Sequence, residues 1–248
     1  MSDKHSRTIL KNLEISDYET VVDWGKTCVF APHPDDESLG CGGAIALLRQ
    51  SGLPVSVVVM SDGTLSHPNS LKFPPDKLCK LRENEIADAL RILGVTADEI
   101  TFLRYRDRSV PGAEAANFKP AVERIKNLLS ETNPATVILP WRRDPHPDHR
   151  ATWQIVRSAV GAMNARIKML EYPIWLWEMA EEIDLPLENE IKARRLNIEK
   201  VIEKKQSAIK AHVSQTTDLI DDDPQAFRLS PEVLMNFAVP FEIFLEEI

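Results

Sequence analysis

Four short, nearly unbroken apolar runs punctuate the chain: CVFA at 28–31, PVSVVVM at 54–60, ITFL at 100–103 and VILP at 137–140. Runs of this length, bounded by turn residues and rich in Val and Ile, read as strands buried on both faces, as in a parallel sheet. Between them the apolar positions recur three and four residues apart, which predicts helices over 40–49, 77–92, 113–130 and 151–162. Gly94 supplies the stop of the second helix, and Pro120 interrupts the third near its start. A further strand is predicted over 168–177, a strand at 193–198 leading into a helix to 210, and a tail, 230–248, that is helical and then strand-like. Strands alternating with helices predict an α/β fold, an open and mainly parallel sheet with helices on both faces. Right-handed crossovers then place every strand's carboxyl end on one edge, where such sheets hold their active sites. That edge gathers 32–37, 61–64, Asp107 and 144–149.

The first and fourth runs end in unusual chemistry. After CVFA comes PHPDDE, with His33, Asp35, Asp36 and Glu37 inside six residues, then Gly40, Gly42 and Gly43. Four ionisable groups so close together are costly to fold unless something compensates their charge, and a divalent cation does so directly. After VILP comes WRRDPHPDHR, with His146 and His149 three apart and each close to an aspartate. His33, Asp36 and His149 would make a set of two imidazoles and one carboxylate, leaving one position open as in catalytic zinc sites. Such a set also accepts Fe²⁺, Co²⁺ or Mn²⁺. Chemistry alone does not say which of Asp35 and Asp36 binds metal and which accepts a proton from water. Asp148 is a candidate to hold His146 or His149 in the right tautomer, and Glu37 a candidate to support the ligands from behind.

PHPDDE after one strand and HPDH after another resemble the LmbE/PIG-L family of zinc-dependent N-acetylglucosaminyl deacetylases. RENE at 82–85 with the run ending in LGV, the segment from Lys205 through His212 to Gln215, and FEIF at 241–244 are similar to later family motifs. The resemblance thus covers about residue 27 to the end. It implies a Rossmann-like fold with Zn²⁺ held by His33, Asp36 and His149, Asp35 as general base, and His146 facing the reacting carbonyl. Arg82 resembles the family's basic residue near the pocket, and with Asp107 and Asp144 it is expected at the substrate. Asp144 departs from the pattern, since some relatives carry a tyrosine there. His212 and Gln215 are expected to be structural or pocket-lining. The implied reaction removes acetyl from an N-acetylated amino sugar and releases acetate and a free amine. Two rival readings stand beside it: cleavage of another amide, such as a thiol conjugate, and a non-catalytic sugar-binding protein on the same fold.

Composition narrows the setting. With 248 residues and no Gly/Ser or Pro-rich linker, one domain over 1–248 is expected, its first 24 residues a polar lead-in. A net charge of −8 argues against nucleic acid or an anionic membrane as partner, leaving a small molecule or glycoconjugate. Three unpatterned cysteines, no apolar leader and no membrane-length run fit a cytoplasmic protein. The family also forms homo-oligomers, on which the sequence is silent. Several residues carry blander readings. His5 and His67 are expected at the solvated surface, Cys41 buried, and Trp175 and Trp177 packed along a strand, with lining of a sugar site as the alternative for these aromatics. For Arg82 a helix-surface salt bridge to Glu85 competes with a substrate role. The glycines of 40–43 do not have dinucleotide-fingerprint spacing, and the adjacent carboxylates would repel a pyrophosphate. They are expected to let the chain turn and the helix pack closely. The loop 65–76 is expected to shape the binding mouth.

Overall fold

The computed structural model describes residues 14–248; His5 and most of the polar lead-in lie outside the described residues. Among the described residues eight strands join one sheet: β1 (Ile15–Tyr18), β2 (Thr27–Ala31), β3 (Val55–Ser61), β4 (Ile100–Tyr105), β5 (Thr136–Pro140), β6 (Lys168–Tyr172), β7 (Ile191–Asn197) and β8 (Phe241–Glu247). Their order is β1-β7-β8-β6-β5-β2-β3-β4. Every pairing is parallel except those of β8, which runs antiparallel between β6 and β7. From β2 the chain winds outward through β3 to β4 on one side. It then returns to place β5 and β6 on the other. The crevice beyond the carboxyl ends of β2 and β5 is therefore the topological switch point, where open α/β sheets bind ligands.

The sheet is covered on both faces, which is why β2, β3 and β5 read as continuous apolar runs. Successive side chains point to opposite faces. Val29, Val57, Val59 and Ile138 join one core with Ile45 and Leu48 of α1 (Asp36–Gln50), and with Ile86 and Leu90 of α2 (Pro75–Leu93). Cys28, Phe30, Val58 and Leu139 join the other with Ile125 and Leu129 of α3 (Phe118–Thr132), and with Ile155 and Ala159 of α4 (Pro147–Gly161). Each fully buried Ile, Leu or Val contributes about 1.5–3 kcal/mol over leaving it in water. α5 (Ile202–Ala211) packs on α1 and α2, and two short helices follow, α6 (Val213–Thr216) and α7 (Pro231–Met235).

Four boundaries differ from the sequence reading by four residues or more, and two of them shape the site. α1 begins at Asp36 rather than at the glycines, and α4 at Pro147 rather than Ala151, so both motif blocks sit on helix N-termini. Pro147 occupies the first helical position, where its missing N–H costs nothing. α3 starts at Phe118, five residues later than expected, which puts Pro120 in the first turn among donors that lack partners anyway. Strand β6 stops at Tyr172, and Trp175 and Trp177 fall on a 3₁₀ turn. The glycines act by close approach: a Cβ at Gly40 would lie 2.2 Å from the Tyr172 ring, and one at Gly43 2.6 Å from Ile198. Among the described residues, no helix is long and apolar enough to cross a membrane.

Candidate active site

The turn that leads from β2 into α1 is strained where the chemistry is densest. Asp35 has φ 145°, a conformation that costs a non-glycine residue about 1–3 kcal/mol and persists only where its surroundings impose it. Its N–H donates to Glu37 Oε2 at 3.1 Å, and its carbonyl accepts from Ser38 and Leu39 at 3.0 Å each. Arg82 Nη2 donates to Asp35 Oδ2 at 3.0 Å and to Pro34 O at 2.6 Å, while Nη1 reaches Gly63 O at 2.7 Å. Arg82 is buried; it spans the turn rather than pairing with Glu85 on a helix surface, and Glu85 instead accepts from Ser214.

Next to this turn three polar atoms converge. Asp36 Oδ2 lies 3.3 Å from His33 Nδ1 and 3.2 Å from His149 Nε2. The far nitrogens face further carboxylates: His33 Nε2 is 3.2 Å from Asp148 and 3.4 Å from Asp107, and His149 Nδ1 is 3.3 Å from Asp144. Both ring nitrogens of the buried His149 face a carboxylate within ion-pair distance, though neither contact is a well-directed hydrogen bond. His146 completes a cluster in which a ligand nitrogen of each of the three histidines lies within 4.8 Å of the others. Ligand atoms held about 2.0–2.1 Å from a tetrahedral zinc stand about 3.3 Å apart, the spacing of both Asp36 contacts. Among the described residues, the sets whose ligand atoms all lie within 4.8 Å of one another are His33–His146–His149 and His33–Asp107–Asp148, neither of which includes Asp36. Two imidazoles facing one carboxylate, each with a further carboxylate at its other nitrogen, are residue types that could hold a cation.

The electrostatics point the same way. Burial disfavours the charged form of His149, but Asp36 and Asp144 outweigh it and push the imidazole up to about 9. Burial likewise opposes charge on His33, and hydrogen bonds to Asp107, Asp148 and Asp36 hold it well above its ordinary value. Against the cost of burial, His149 and His33 hold Asp36 well below the carboxylate range. His33, Asp36 and His149 thus stabilise one another's charged forms. Asp35 behaves differently: burial raises it to about 6 despite the Arg82 guanidinium, and Asp36 adds to the rise. His146 falls to about 3 through burial and the charges of His33 and His149.

The remaining expected residues have definite places. Asp107 lines the cavity, accepts from Leu65 N at 2.9 Å and lies well below the usual carboxylate range, its burial outweighed by His33. Asp144 does not reach the cavity. It is fully buried, accepting from the backbone N–H groups of His146, Ile174 and Trp175, with His149 beside it. The Asp148 carboxylate serves His33 and the amides of Arg108 and Val110; its contact with His146 is through its own backbone N–H, which donates to His146 Nδ1 at 3.2 Å. Glu37 accepts from Ser38 Oγ at 2.6 Å, and His212 Nε2 lies 3.0 Å from its Oε1.

A cavity of about 200 Å³ opens over this cluster, floored by His33, Asp35, Asp36 and His146 and walled by Trp175, Met179 and Phe227. Trp175 and Phe227 meet edge to face at 5.5 Å. Sequence reasoning read Trp175 first as a packing residue, with a sugar-lining role as the alternative, and missed Phe227, which lies in a segment without periodicity. It also placed His67 at the surface, whereas His67 is 2% exposed. Of the loop 65–76 only Leu65 and Ser66 line the cavity. The rest is tied to the acidic turn at 221–223, with Asp222 accepting from Ser70, Leu71 and Lys72 and Asp223 from Asn69. A larger cavity, about 380 Å³, lies behind α1 and contains none of these histidines.

The PIG-L family model, described as GlcNAc-PI de-N-acetylase, matches residues 28–160, which include both motif blocks. The chain belongs to the PIG-L family. Among PIG-L relatives, it is 26% identical over 197 residues to a probable N-acetyl-alpha-D-glucosaminyl L-malate deacetylase 2 of Bacillus cereus, covering 78% of this chain and 85% of the relative. It is 30% identical over 184 residues to the 1D-myo-inositol 2-acetamido-2-deoxy-alpha-D-glucopyranoside deacetylase of Nocardia farcinica, covering 66% and 60%. The fold is shared with an N,N'-diacetylchitobiose deacetylase of Pyrococcus horikoshii, at TM-score 0.63, 23% identity and coverage of 89% and 81%.

Proposed function

We propose that this PIG-L protein is a metal-dependent hydrolase that removes the acetyl group from an N-acetylglucosamine conjugate. The observation that carries the reading is the convergence of His33 and His149 on Asp36 Oδ2, at 3.3 and 3.2 Å, beside the strained Asp35 on the cavity floor. His33, Asp36 and His149 would hold the ion, with zinc the first candidate. When bound, a zinc ion polarises a carbonyl and makes water a competent nucleophile near neutral pH.

The chain's own residues supply the rest. Asp35 faces the cavity and accepts a proton from the attacking water, while Arg82 holds its carboxylate in place. The Nδ1 of His146 accepts from Asp148 N, which leaves the ring proton on Nε2. That N–H donates to the oxygen of the reacting carbonyl as negative charge develops there. The carbonyl carbon gains the water oxygen, the C–N bond breaks, and the amine leaves with the proton that Asp35 received. Asp144 and Asp148 act behind the imidazoles by fixing their orientation. Support for a glucosaminyl substrate comes from the relatives named for malate, inositol and chitobiose conjugates.

The test is acetate release from a panel of N-acetylglucosamine conjugates, with and without chelation and zinc restoration. Chelator-sensitive release that zinc restores is expected. Metal at full stoichiometry with no acetate released from any conjugate would overturn the reading.

A further inference from the structure

Helix α1 is continuous in sequence but broken in its hydrogen bonding. Cys41, at φ −146° and ψ 21°, is not helical. Such breaks have identifiable causes, and α1 contains no proline. A helix that restarts after a break exposes amide N–H groups in need of acceptors, as any helix N-terminus does. Glu242 of β8, 199 residues away from Gly43, supplies them: Oε1 accepts from Gly43 N at 2.7 Å. Its Oε2 accepts from Ala44 N at 2.8 Å. Lys205 of α5 donates to Oε1 at 2.6 Å. The two side chains are 2% and 1% exposed.

A buried ion pair is weak evidence for stability, because the desolvation of each ion costs several kcal/mol. Here the pair has a geometric consequence. The half of α1 before the break carries Asp36, with Asp35 just ahead of it, and the half after the break is wedged into place. A Cβ at Gly42 would meet the Lys205 side chain at 3.3 Å, and one at Gly43 would meet Ile198 at 2.6 Å. Behind the first half lies the cavity of about 380 Å³, lined by Leu39, Gly40, Lys205 and Glu242. The first half packs through Gly40 on the Tyr172 ring and otherwise backs onto this cavity, and the Glu242 carboxylate sits at the break between the halves.

We propose that Glu242, neutralised by Lys205, is a positioning residue for the catalytic centre. By capping the second half of α1 at the Cys41 break, it fixes the direction of the turn that presents Asp35 and Asp36. Both residues lie outside the segment that the family model matches. The inference rests on the deacetylase reading only for the chemistry being positioned.

Two variants test it. Glu242→Asp keeps the charge pair but withdraws the carboxylate from the two amides. Lys205→Met combined with Glu242→Gln removes both charges at nearly constant volume. Zinc affinity, measured by competition with a chromophoric chelator, needs no substrate and is expected to weaken 10–100-fold, the range typical of residues that support metal ligands. The kcat should fall at least 10-fold with KM within about twofold. Zinc affinity and kcat within twofold of wild type, whatever the melting temperature, would overturn the proposal. Hydrogen exchange on the wild-type protein requires no variant. Slow exchange at Gly43 and Ala44 is expected, and exchange at the rate of exposed loops would also overturn it. A wild-type protein that binds zinc but releases no acetate would sink the deacetylase reading and leave this inference intact.

Discussion

At the N-terminus of α1 lie His33, Asp36, His146 and His149; at its Cys41 break lie Lys205 and Glu242. All but the half-buried His146 are buried, and both groups include charged side chains. The Lys205–Glu242 side is closed: the ammonium, the carboxylate and two backbone amides satisfy one another. The histidine side is not: His149 faces Asp36 and Asp144, and carboxylates surround His33, within ion-pair distance but without well-directed hydrogen bonds at His149. A buried polar cluster that its own members complete acts on shape. One whose members meet only as facing charges has room for an ion, and that separates the two ends of the first half of one helix.

The largest expected effect tests the open side. Asp35→Asn should lower kcat by about 10²–10⁴-fold, the usual contribution of a general base, while metal content stays stoichiometric. Steady-state kinetics with elemental analysis on the same sample would show it, and unchanged turnover would remove Asp35 from its role. Metal removal comes next. Zinc at 1,000 times its Kd should stabilise the fold by about 4 kcal/mol over the chelated protein, read as a higher melting temperature. An Asp36→Ala variant should show no such response. A smaller effect is expected behind the imidazoles, where Asp144→Asn should weaken zinc affinity 10–100-fold through the misoriented His149. If zinc affinity is unchanged, Asp144 serves only the backbone amides of His146, Ile174 and Trp175. The smallest should come from the rim: Phe227→Ala is expected to raise KM a few-fold with kcat unchanged, as loss of binding shared by ground and transition states does.

The parts of the molecule legible in the sequence are those where local pattern and tertiary position agree. Strands β2, β3 and β5 are buried on both faces, so apolarity alone marks them. Each motif block follows such a strand, so the edge rule brings His33 and His149 together before any coordinates are known. Other features depend on contacts that no local pattern carries. The antiparallel insertion of β8 between β6 and β7 is decided by which edges remain unpaired late in the chain. Which imidazole each aspartate serves depends on side-chain rotation: Asp148 sits two residues from His146 but turns its carboxylate to His33. Trp175 becomes part of the cavity because β6 ends at Tyr172 and the chain turns over the site. The break in α1 leaves no signal except its glycines, which read equally well as close-packing residues.

The most direct test of the central claim is metal stoichiometry, determined by elemental analysis on the wild-type protein and on Asp36→Ala after zinc loading and desalting. The account predicts one ion per chain in the wild type and none retained in the variant. A wild-type protein that holds no ion, or an Asp36→Ala protein that keeps one, would contradict the assignment of His33, Asp36 and His149 as the metal site.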